Sequence, residues 1–569
     1  MLQKKWLSQE VDLQHANQLH ADLRIHKSLC ALLVSRGIVT YDQARKFFRT
    51  SSSDLVDPFL MKGMMLAVNR IQEAISRQEK ILIYGDYDVD GTTSVAVAYS
   101  FFKRIHPYIE YYIPHRFSEG YGVSEKGIQY AIDHEFKLII TLDCGIKSAS
   151  LISKAKNHGI DTIVCDHHLP GDEIPEAIAI LNPKQADCNY PYKELCGCGI
   201  AYKLISAYAK KFQVNENHVD DYLDLVATAI AADIVPITDE NRTLCVLGLQ
   251  KANSNPSIPL SALKQISDMN KEFTISDLVF IIAPRVNAAG RMDDARKAVE
   301  LFIADNDAEA ISLAAQLQED NNDRRDIDKS TTAEAIDQLA FHETNQIDHA
   351  TVVYQSHWHK GVVGIVASRL IDYRYCPTIV LTLSNGKITG SARSIKGFNM
   401  FEGLNQCSDY LENYGGHYYA AGLTMREENL LPFTKHFNEV VKQTIPSDML
   451  QPSIDIDTEL DLKDLTDSYM NILKQFAPHG PENMRPIFKA KKVMDYQSLS
   501  SIVKEKHIRF VIFQPGSKTI NGIGFGLVDK FDLVKSGNPF DILFHIEENL
   551  FNGRTSLQLK VLDIRASES

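Results

Sequence analysis

What this chain lacks excludes several classes of protein at once. No run of about 18 apolar residues occurs, so no segment is expected to cross a bilayer as a helix. The first residues, MLQKKWLSQEVDLQ, hold no apolar signal core, and secretion is not expected. The nine cysteines form no regular framework. Cys144, Cys165 and Cys245 sit inside apolar runs, as reduced thiols of a cytoplasmic protein do. There is no GxxxxGK[ST] element to cradle a nucleoside triphosphate, no internal repeat and no low-complexity tract. An excess of positive charge is missing too: 60 Lys and Arg stand against 73 Asp and Glu, a formal net charge of −13. Taken alone, that balance argues against a nucleic-acid binder.

Two features soften that argument. A metal centre requires clustered carboxylates. Positive charge is also concentrated locally, because residues 485–520 hold Arg485, Lys489, Lys491, Lys492, Lys504, Lys506, Arg509 and Lys518 against only Asp495 and Glu505. That run reads either as a face that tracks a phosphate backbone or as a solvated surface.

A chain of 569 residues is too long for one core, and about three or four domains are expected. Residues 1–78 show helical spacing in SLCALLVSRG and MMLAVNRIQEAI and read as a helical lead-in packing on the domain next in sequence. Over 79–305 short β-rich runs alternate with helical stretches: ILIYG (81–85), YYIP (111–114), LIITLD (138–143), TIVCD (162–166) and AIAIL (177–181). This rhythm predicts βαβ units and an α/β domain on a mostly parallel sheet. Residues 306–340 contain no Pro or Gly and are charge-rich in the middle, which predicts a long solvent-bridging helix between two lobes. A second α/β pattern fills 341–449. Short strands with Gly-rich turns over 450–569 predict a small β-barrel of the OB type.

The strongest chemical signal is GDYDVDGTTS at 85–94, where Asp86, Asp88 and Asp90 alternate directly after an apolar strand. Ligands of open α/β sheets sit outside the carboxyl ends of strands, and alternate residues of extended chain share a side. Clustered like charges cost energy unless a cation neutralises them. TLDCG (141–145) ends the next strand on Asp143, CDHH (165–168) ends another on Asp166, His167 and His168, and AADIVP (231–236) sets Asp233 among apolar residues. Singly, Asp143 or Asp233 reads as a helix cap and one His as a structural residue. Together they offer hard oxygens and imidazole, a donor set that suits manganese or magnesium better than structural zinc. Two such cations about 3.5–4 Å apart would clamp a phosphodiester and activate water. CGCG (196–199) could suggest a metal pair through Cys196 and Cys198, but with no second pair nearby it reads as small residues at a helix start.

The order DYDVDG, TLDCG, DHH, AADIVP resembles the DHH phosphoesterase superfamily. The resemblance implies Asp88, Asp90, Asp143, His167 and Asp233 as metal ligands for two Mn2+ or Mg2+ ions, with Asp86 and His168 as second choices for the metal and catalytic sets. RVNAAGRMDDA (285–295), SHWHKGVVGIVASRL (356–370), SARS (391–394) and YGGHYYAAG (414–422) are similar to the RecJ family with its DHH-associated domain. This implies a 5′→3′ exonuclease on single-stranded DNA, acting in repair and recombination, with a single-strand-binding protein and a helicase as partners. It also implies substrate contacts at Arg285, Asn287, Arg291, Ser391, Arg393, Gly416 and His417. Arg285 and Arg291 lie in what reads as a Gly-punctuated loop. IPHRFSEGYG (113–122) adds Arg116, with Tyr121 as a base-stacking candidate. A small-substrate phosphodiesterase would lack the bridging helix and barrel. A non-catalytic scaffold would have lost metal ligands, and a pyrophosphatase would lack SARS and GGH.

Overall fold

The computed structural model describes residues 4–215, 217–292, 294–342, 349–551 and 554–567. The first lobe is built on five parallel strands in the spatial order Ile109–Tyr112, Ile81–Gly85, Leu138–Leu142, Asp161–Cys165, Ala179–Leu181. Strands Ile81–Gly85 and Leu138–Leu142 are buried at every residue, as expected where helices cover both faces of a sheet. The second strand in sequence lies on one side of the first, and all later ones lie on the other. The connections therefore reverse between Ile81–Gly85 and Leu138–Leu142, which opens a crevice at their carboxyl ends.

The helix Asp307–His342 runs 36 residues, about 54 Å. Ala310, Ala314 and Leu317 at one end enter the core of the first lobe. Ala335 and Leu339 at the other end pack with Trp358, Val366 and Leu370 of the second lobe. Its charge-rich middle is not simply solvated, in contrast to the pattern expectation. Asp328 is fully buried and accepts from Arg369 Nη2 at 2.6 Å, with Arg324 at 3.6 Å. An ion pair between this buried acid and the half-exposed Arg369 thus docks the second lobe onto the helix.

The second lobe has a mixed sheet in the order Asn413–Gly416, Ala420–Met425, Lys387–Arg393, Thr378–Ser384, Thr351–Tyr354, of which the last pair alone is parallel. The C-terminal strands Phe488–Asp495, Phe540–Phe551, Arg554–Ala566, Ile520–Gly524 and His507–Phe513 close into a barrel where the first pairs with the last. All nine cysteines are free and buried, and among the described residues no helix is long and apolar enough to cross a membrane.

The N-terminal segment departs from the sequence expectation. The helices Leu13–Leu23, Lys27–Ser35 and Tyr41–Phe48 take their core from the barrel and not from the lobe next to them in sequence, which the last of them meets through Lys46 and Asp239 at 2.7 Å. Leu19, Leu29 and Leu33 share one core with Phe476, Phe488 and Phe544 of the barrel. Lys5–Ser8 pairs in parallel with Ser453–Ile456. The chain begins to pack on the first lobe at Leu55, Val56 and Phe59, and Met61 is the first residue buried within its core. Helical periodicity shows that a face must be buried but not against what, and here the partner lies some four hundred residues away.

One side chain seams this terminal unit to the first lobe. Arg242, 4% exposed, donates to the carbonyls of Phe47, Gln475, Phe476, Ala477 and Pro478, and its guanidinium lies 3.8 Å from the Phe47 ring centroid. No carboxylate pairs with it among the described residues, and burial pulls its pKa down to about 10. Phe476 O and Pro478 O would keep Asn483 Nδ2 as a donor, but removing the guanidinium would strip the part-buried carbonyls of Phe47, Gln475 and Ala477 of theirs, at about 1–3 kcal/mol each. Arg242→Met is therefore expected to destabilise the protein by at least about 3 kcal/mol. It should also expose the connection near residue 50 to protease while leaving the first-lobe core intact. Thermal melts and limited proteolysis check this, and a melting temperature equal to wild type would count against it.

Candidate metal centre

Each acidic side chain at the crevice is placed by a different local device. Asp88 caps the helix Val89–Lys103, accepting from Gly91 N–H at 3.0 Å. Asp90 lies in that helix's first turn and points away to a second helix start. It accepts from Gly197 N–H at 2.6 Å and Cys198 N–H at 2.7 Å, the first amides of the helix Gly197–Phe212. CGCG is thus a helix start as expected, with Cys196 as its cap, but its amides also hold a site carboxylate, which the sequence pattern did not reveal. Gly197 must be glycine, because a Cβ there would lie 2.6 Å from Asp143 Cβ. Asp86 accepts from Gly122 N–H through Oδ1 at 3.2 Å.

Asp143 comes directly after the strand Leu138–Leu142 with φ at 59°, a left-handed conformation that costs a non-glycine residue energy. Asp233 is the last residue of the helix Leu223–Asp233, where a negative charge opposes the helix dipole. Ile234 then turns left-handed at φ 60°, strained for a β-branched side chain, and stands exposed. Asp233 therefore gains nothing as a helix cap. Local rules broken side by side at one place are the mark of a functional constraint.

His167 sits at the centre. Its Nε2 is 3.1 Å from Asp143 Oδ1, 3.7 Å from Asp233 Oδ2 and 3.9 Å from Asp90 Oδ2. His167 Nε2, Asp143 Oδ1, Asp233 Oδ2 and Asp86 Oδ2 are buried and make no hydrogen bond among the described residues. Orphaned polar atoms converging in this way are what a missing cation would leave. Asp143, His167 and His168 bring one donor atom each within 4.8 Å of one another, and so do Asp90, His167 and Asp233. Burial, then the neighbouring charge of His168, hold His167 down to about 3, so its imidazole is neutral and able to ligate. Burial and mutual repulsion act the other way on the acids. Asp86, Asp143 and Asp233 are pushed well above the ordinary carboxylate range, and Asp90 up to about 7. The donor set of carboxylate oxygen and imidazole fits Mn2+ or Mg2+.

His168 is anchored differently. Its Nδ1 is 2.7 Å from Asp166 Oδ1, and its Nε2 is 3.1 Å from the Tyr121 hydroxyl, which also reaches Asp143 O at 3.2 Å. Burial lowers the His168 pKa, but the bond and charge of Asp166 raise it above the ordinary value on balance. Asp166, the first letter of the DHH motif, thus acts here as the support for His168.

Cations flank the acids. Arg116, Asn287 and Arg291 line the same cleft of about 330 Å³ as Asp86, Asp88, Asp90 and Asp233. Arg116 lies over the Tyr87 ring at 4.8 Å. Arg291 donates to Gly361 O of the second lobe at 3.1 Å, so the lobes touch beside the acidic cluster. Burial, then the repulsion of Arg116 and Arg393, lowers Arg291 to about 10. Among the described residues no carboxylate pairs with Arg116, Arg291 or Arg393. The segment 283–292 is a helix, not the loop that its glycine suggested. Asn287 and Arg291 share a face at helical spacing, while Arg285 points elsewhere and donates to Gln318 Oε1 of the long helix at 2.8 Å. Arg285 is therefore a lobe-to-helix tie.

In the second lobe, Arg393 donates to Ser391 Oγ at 2.8 Å. A Cβ on Gly364 would lie 2.9 Å from Arg393 Nη2, so both residues face the start of the helix Val363–Tyr373, which has no side-chain cap. His417 is not hydrogen-bonded to either residue. It stands on the turn after Gly416, within electrostatic reach of Lys147, His168 and Lys184, whose charges, after burial, lower its pKa. Lys147 and Lys184 carry no motif and were missed, since only the fold brings them here.

The crevice at the switch point, the acid-and-imidazole cluster and the facing cations define a phosphoesterase of the DHH class. The DHH family, N-terminal domain, matches residues 80–230, the DHHA1 domain 348–443, and the RecJ OB domain 456–563. Single-stranded-DNA-specific exonuclease RecJ of Bacillus subtilis is 36% identical over 99% of this chain and 71% of its own length. That of Escherichia coli is 32% identical over 89% and 90%. The chain belongs to the RecJ family. A crystal structure of Thermus thermophilus RecJ in complex with Mn2+ shares the fold with a TM-score of 0.85, at 24% identity over 99% of this chain and 80% of that one. An exonuclease RecJ bound to manganese has a TM-score of 0.59, at 29% identity over 68% of this chain and 96% of that one.

The raised carboxyl pKa values have a stability consequence. A native state that holds a proton up to about 7 at Asp90, where the unfolded chain releases it near 3.8, loses stability as pH rises through that window. The metal-free protein is expected to melt progressively lower from about pH 4 to about pH 7, and saturating Mn2+ to remove that slope. Asp143→Asn should raise the metal-free melting temperature at the upper pH while abolishing the stabilisation by Mn2+. Melts with chelator and with Mn2+ check this. Parallel slopes in the two conditions would mean that the acids do not share a cation.

Proposed function

We propose that this protein is a metal-dependent exonuclease that degrades single-stranded DNA from its 5′ end to 5′-mononucleotides in repair and recombination. The observation that carries the proposal is the single cleft in which orphaned carboxylates face Arg116 and Arg291, with Arg393 beside them. Uncompensated buried anions ask for a cation, and half-buried guanidinium groups with no carboxylate partner ask for an anion. A phosphodiester with divalent ions satisfies both. Asp88, Asp90, Asp143, His167 and Asp233 would hold two Mn2+ or Mg2+ ions, with Asp86 as a further ligand. Bound there, the ions would supply an activated water and charge neutralisation. The chain's own residues do the rest. Arg116 and Arg291 grip phosphate, Asn287 offers a neutral donor beside them, and Asp166 with Tyr121 keeps His168 oriented at the cleft.

In this reading residues 79–305 carry the chemistry and 341–449 select the strand end, joined by the helix in between. The barrel within 450–569 tracks the incoming strand. Ser391 and Arg393, facing the uncapped helix start at Val363, receive the terminal 5′ phosphate, while His417 guards the opposite rim near His168. A strict need for unpaired strand would make a helicase and a single-strand-binding protein its natural suppliers. The test is digestion of 5′- and 3′-labelled single strands and blunt duplex with Mn2+. Mononucleotides released first from the 5′ end of single strands support the proposal. Release from the 3′ end, or efficient digestion of duplex, overturns it.

Arg393→Ala is expected to cost about ten- to a hundred-fold in kcat/KM on 5′-phosphorylated strands, the worth of a charge-assisted bond, and less on 5′-hydroxyl strands. Equal losses on both would make Arg393 a general backbone contact. The barrel's basic run divides in the structure. Arg485 pairs with Glu547, Lys489 with Asp541 and Lys491 with Glu459, whereas Lys504, Lys506 and Arg509 are exposed and make no ion pair among the described residues. Deleting the barrel would strip Leu19 and Leu29 of their core, so surface substitution is the cleaner probe. Changing Lys504, Lys506 and Arg509 together to Gln should raise KM for long strands and flatten its salt dependence by up to about 2 units of slope, with kcat unchanged. An unaltered salt slope would show a merely solvated face.

A further inference from the structure

The hairpin turn of the second lobe carries two aromatic residues that neither the metal centre nor the phosphate contacts use. Tyr418 is 40% and Tyr419 57% exposed, with ring centroids 4.7 Å apart at 63°. The turn beneath them is fixed. His417 N–H donates to Ala420 O at 2.8 Å, Met400 N–H to Tyr418 O at 2.8 Å and Ser394 N–H to Tyr419 O at 2.9 Å. Gly416 takes φ 154°, where a Cβ would meet Ala420 O at 2.3 Å. Phe401, 41% exposed, lies 6.0 Å from Tyr414 and extends the aromatic surface on the neighbouring helix.

The position of the turn says what it meets. Ala420, directly after the pair, is the strand partner of Arg393. His417, directly before it, feels Lys147, His168 and Lys184 across the cleft. The turn that carries the rings therefore stands between Arg393 on one side and Lys147, His168 and Lys184 on the other. Exposed aromatic faces among cations, with their backbone already ordered, are the composition of a single-strand groove, where phosphates meet charge and bases meet π-faces. A protein partner would more simply be met by a surface away from the phosphate contacts.

We infer that Tyr418 and Tyr419 form a platform on which unpaired bases of the strand stack as it enters the crevice. This rests on the exonuclease reading and deepens it. Stacking tolerates any base, so the platform confers no sequence preference. It rejects duplex, whose bases already stack on one another and cannot turn a face to the rings.

The test is steady-state digestion of a 5′-phosphorylated oligonucleotide by the full chain with Mn2+, comparing wild type, the double variant Tyr418→Leu, Tyr419→Leu and the double Phe variant. An abasic site is walked through the first six or so nucleotides. The Leu variant is expected to raise KM roughly tenfold with kcat little changed, and the Phe variant to keep wild-type KM. An abasic site at the stacking position should raise wild-type KM by a similar factor and leave the Leu variant unaffected. Quenching of 2-aminopurine at that position should be lost in the Leu variant. Equal losses for the Leu variant on intact and abasic strands at every position, or no loss at all, overturn the platform while leaving the exonuclease intact. A wild type that digests no single strand would instead refute the activity itself.

Discussion

The rest of this structure depends on keeping several carboxylates together against their own repulsion. Asp90, Asp143 and Asp233 crowd around His167, and Asp86 and Asp88 add their repulsion to Asp143, in a site where burial makes every charge expensive. Backbone amides hold three of the five acids: Gly122 for Asp86, Gly91 for Asp88, and Gly197 with Cys198 for Asp90. An amide fixes a carboxylate without neutralising its charge, so the full negative potential remains for a cation. Lysine or arginine in the same role would have satisfied the acids and abolished the site. The strained φ of Asp143 and of Ile234 arises from the same demand, since each turns the chain so that one more oxygen reaches the common point.

The opposite charge is arranged with equal economy. Arg116, Arg291 and Arg393 come from three separated segments and two lobes, and they meet beside the acids without pairing with them. Their placement depends on how the second lobe is carried. The long helix sets the spacing, Asp328 with Arg369 locks the lobe onto it, and Arg291 to Gly361 joins the lobes at the cleft itself. Arg285, in the same helix as Arg291, ties that helix to Gln318. The cleft-facing Arg291 and the structural Arg285 thus differ only in which side of one helix they leave.

At the other end of the molecule the two chain termini build one body. The N-terminal helices complete the core of the barrel, and Arg242 sutures this body to the first lobe through neutral carbonyls. Carbonyl acceptors suit a seam that must bury a cation without adding a second charge. The barrel is thereby held to the first lobe through Phe476, which belongs to its own core.

Much of this was legible in the sequence. Alternation of short apolar runs with helical stretches is a local property, so the parallel sheet, the long helix and the barrel could be read from it. Asp86, Asp88, Asp90, Asp143, His167 and Asp233 could be read as one cluster because each ends a strand or helix, and such ends converge in an open sheet. The tertiary structure alone decided the rest, because burial and pairing are set by neighbours distant in sequence. Helical periodicity could not say that Leu19 packs on Phe488. Local charge counting could not foresee that Glu547, Glu459 and Asp541 would pair with Arg485, Lys491 and Lys489 of the basic run. A glycine read as a loop breaker left Arg285 and Arg291 equivalent until a helix separated their faces. Lys147 and Lys184 carry no pattern at all, and only the docking of the second lobe, which sets His417 against them, gives them a place beside the site.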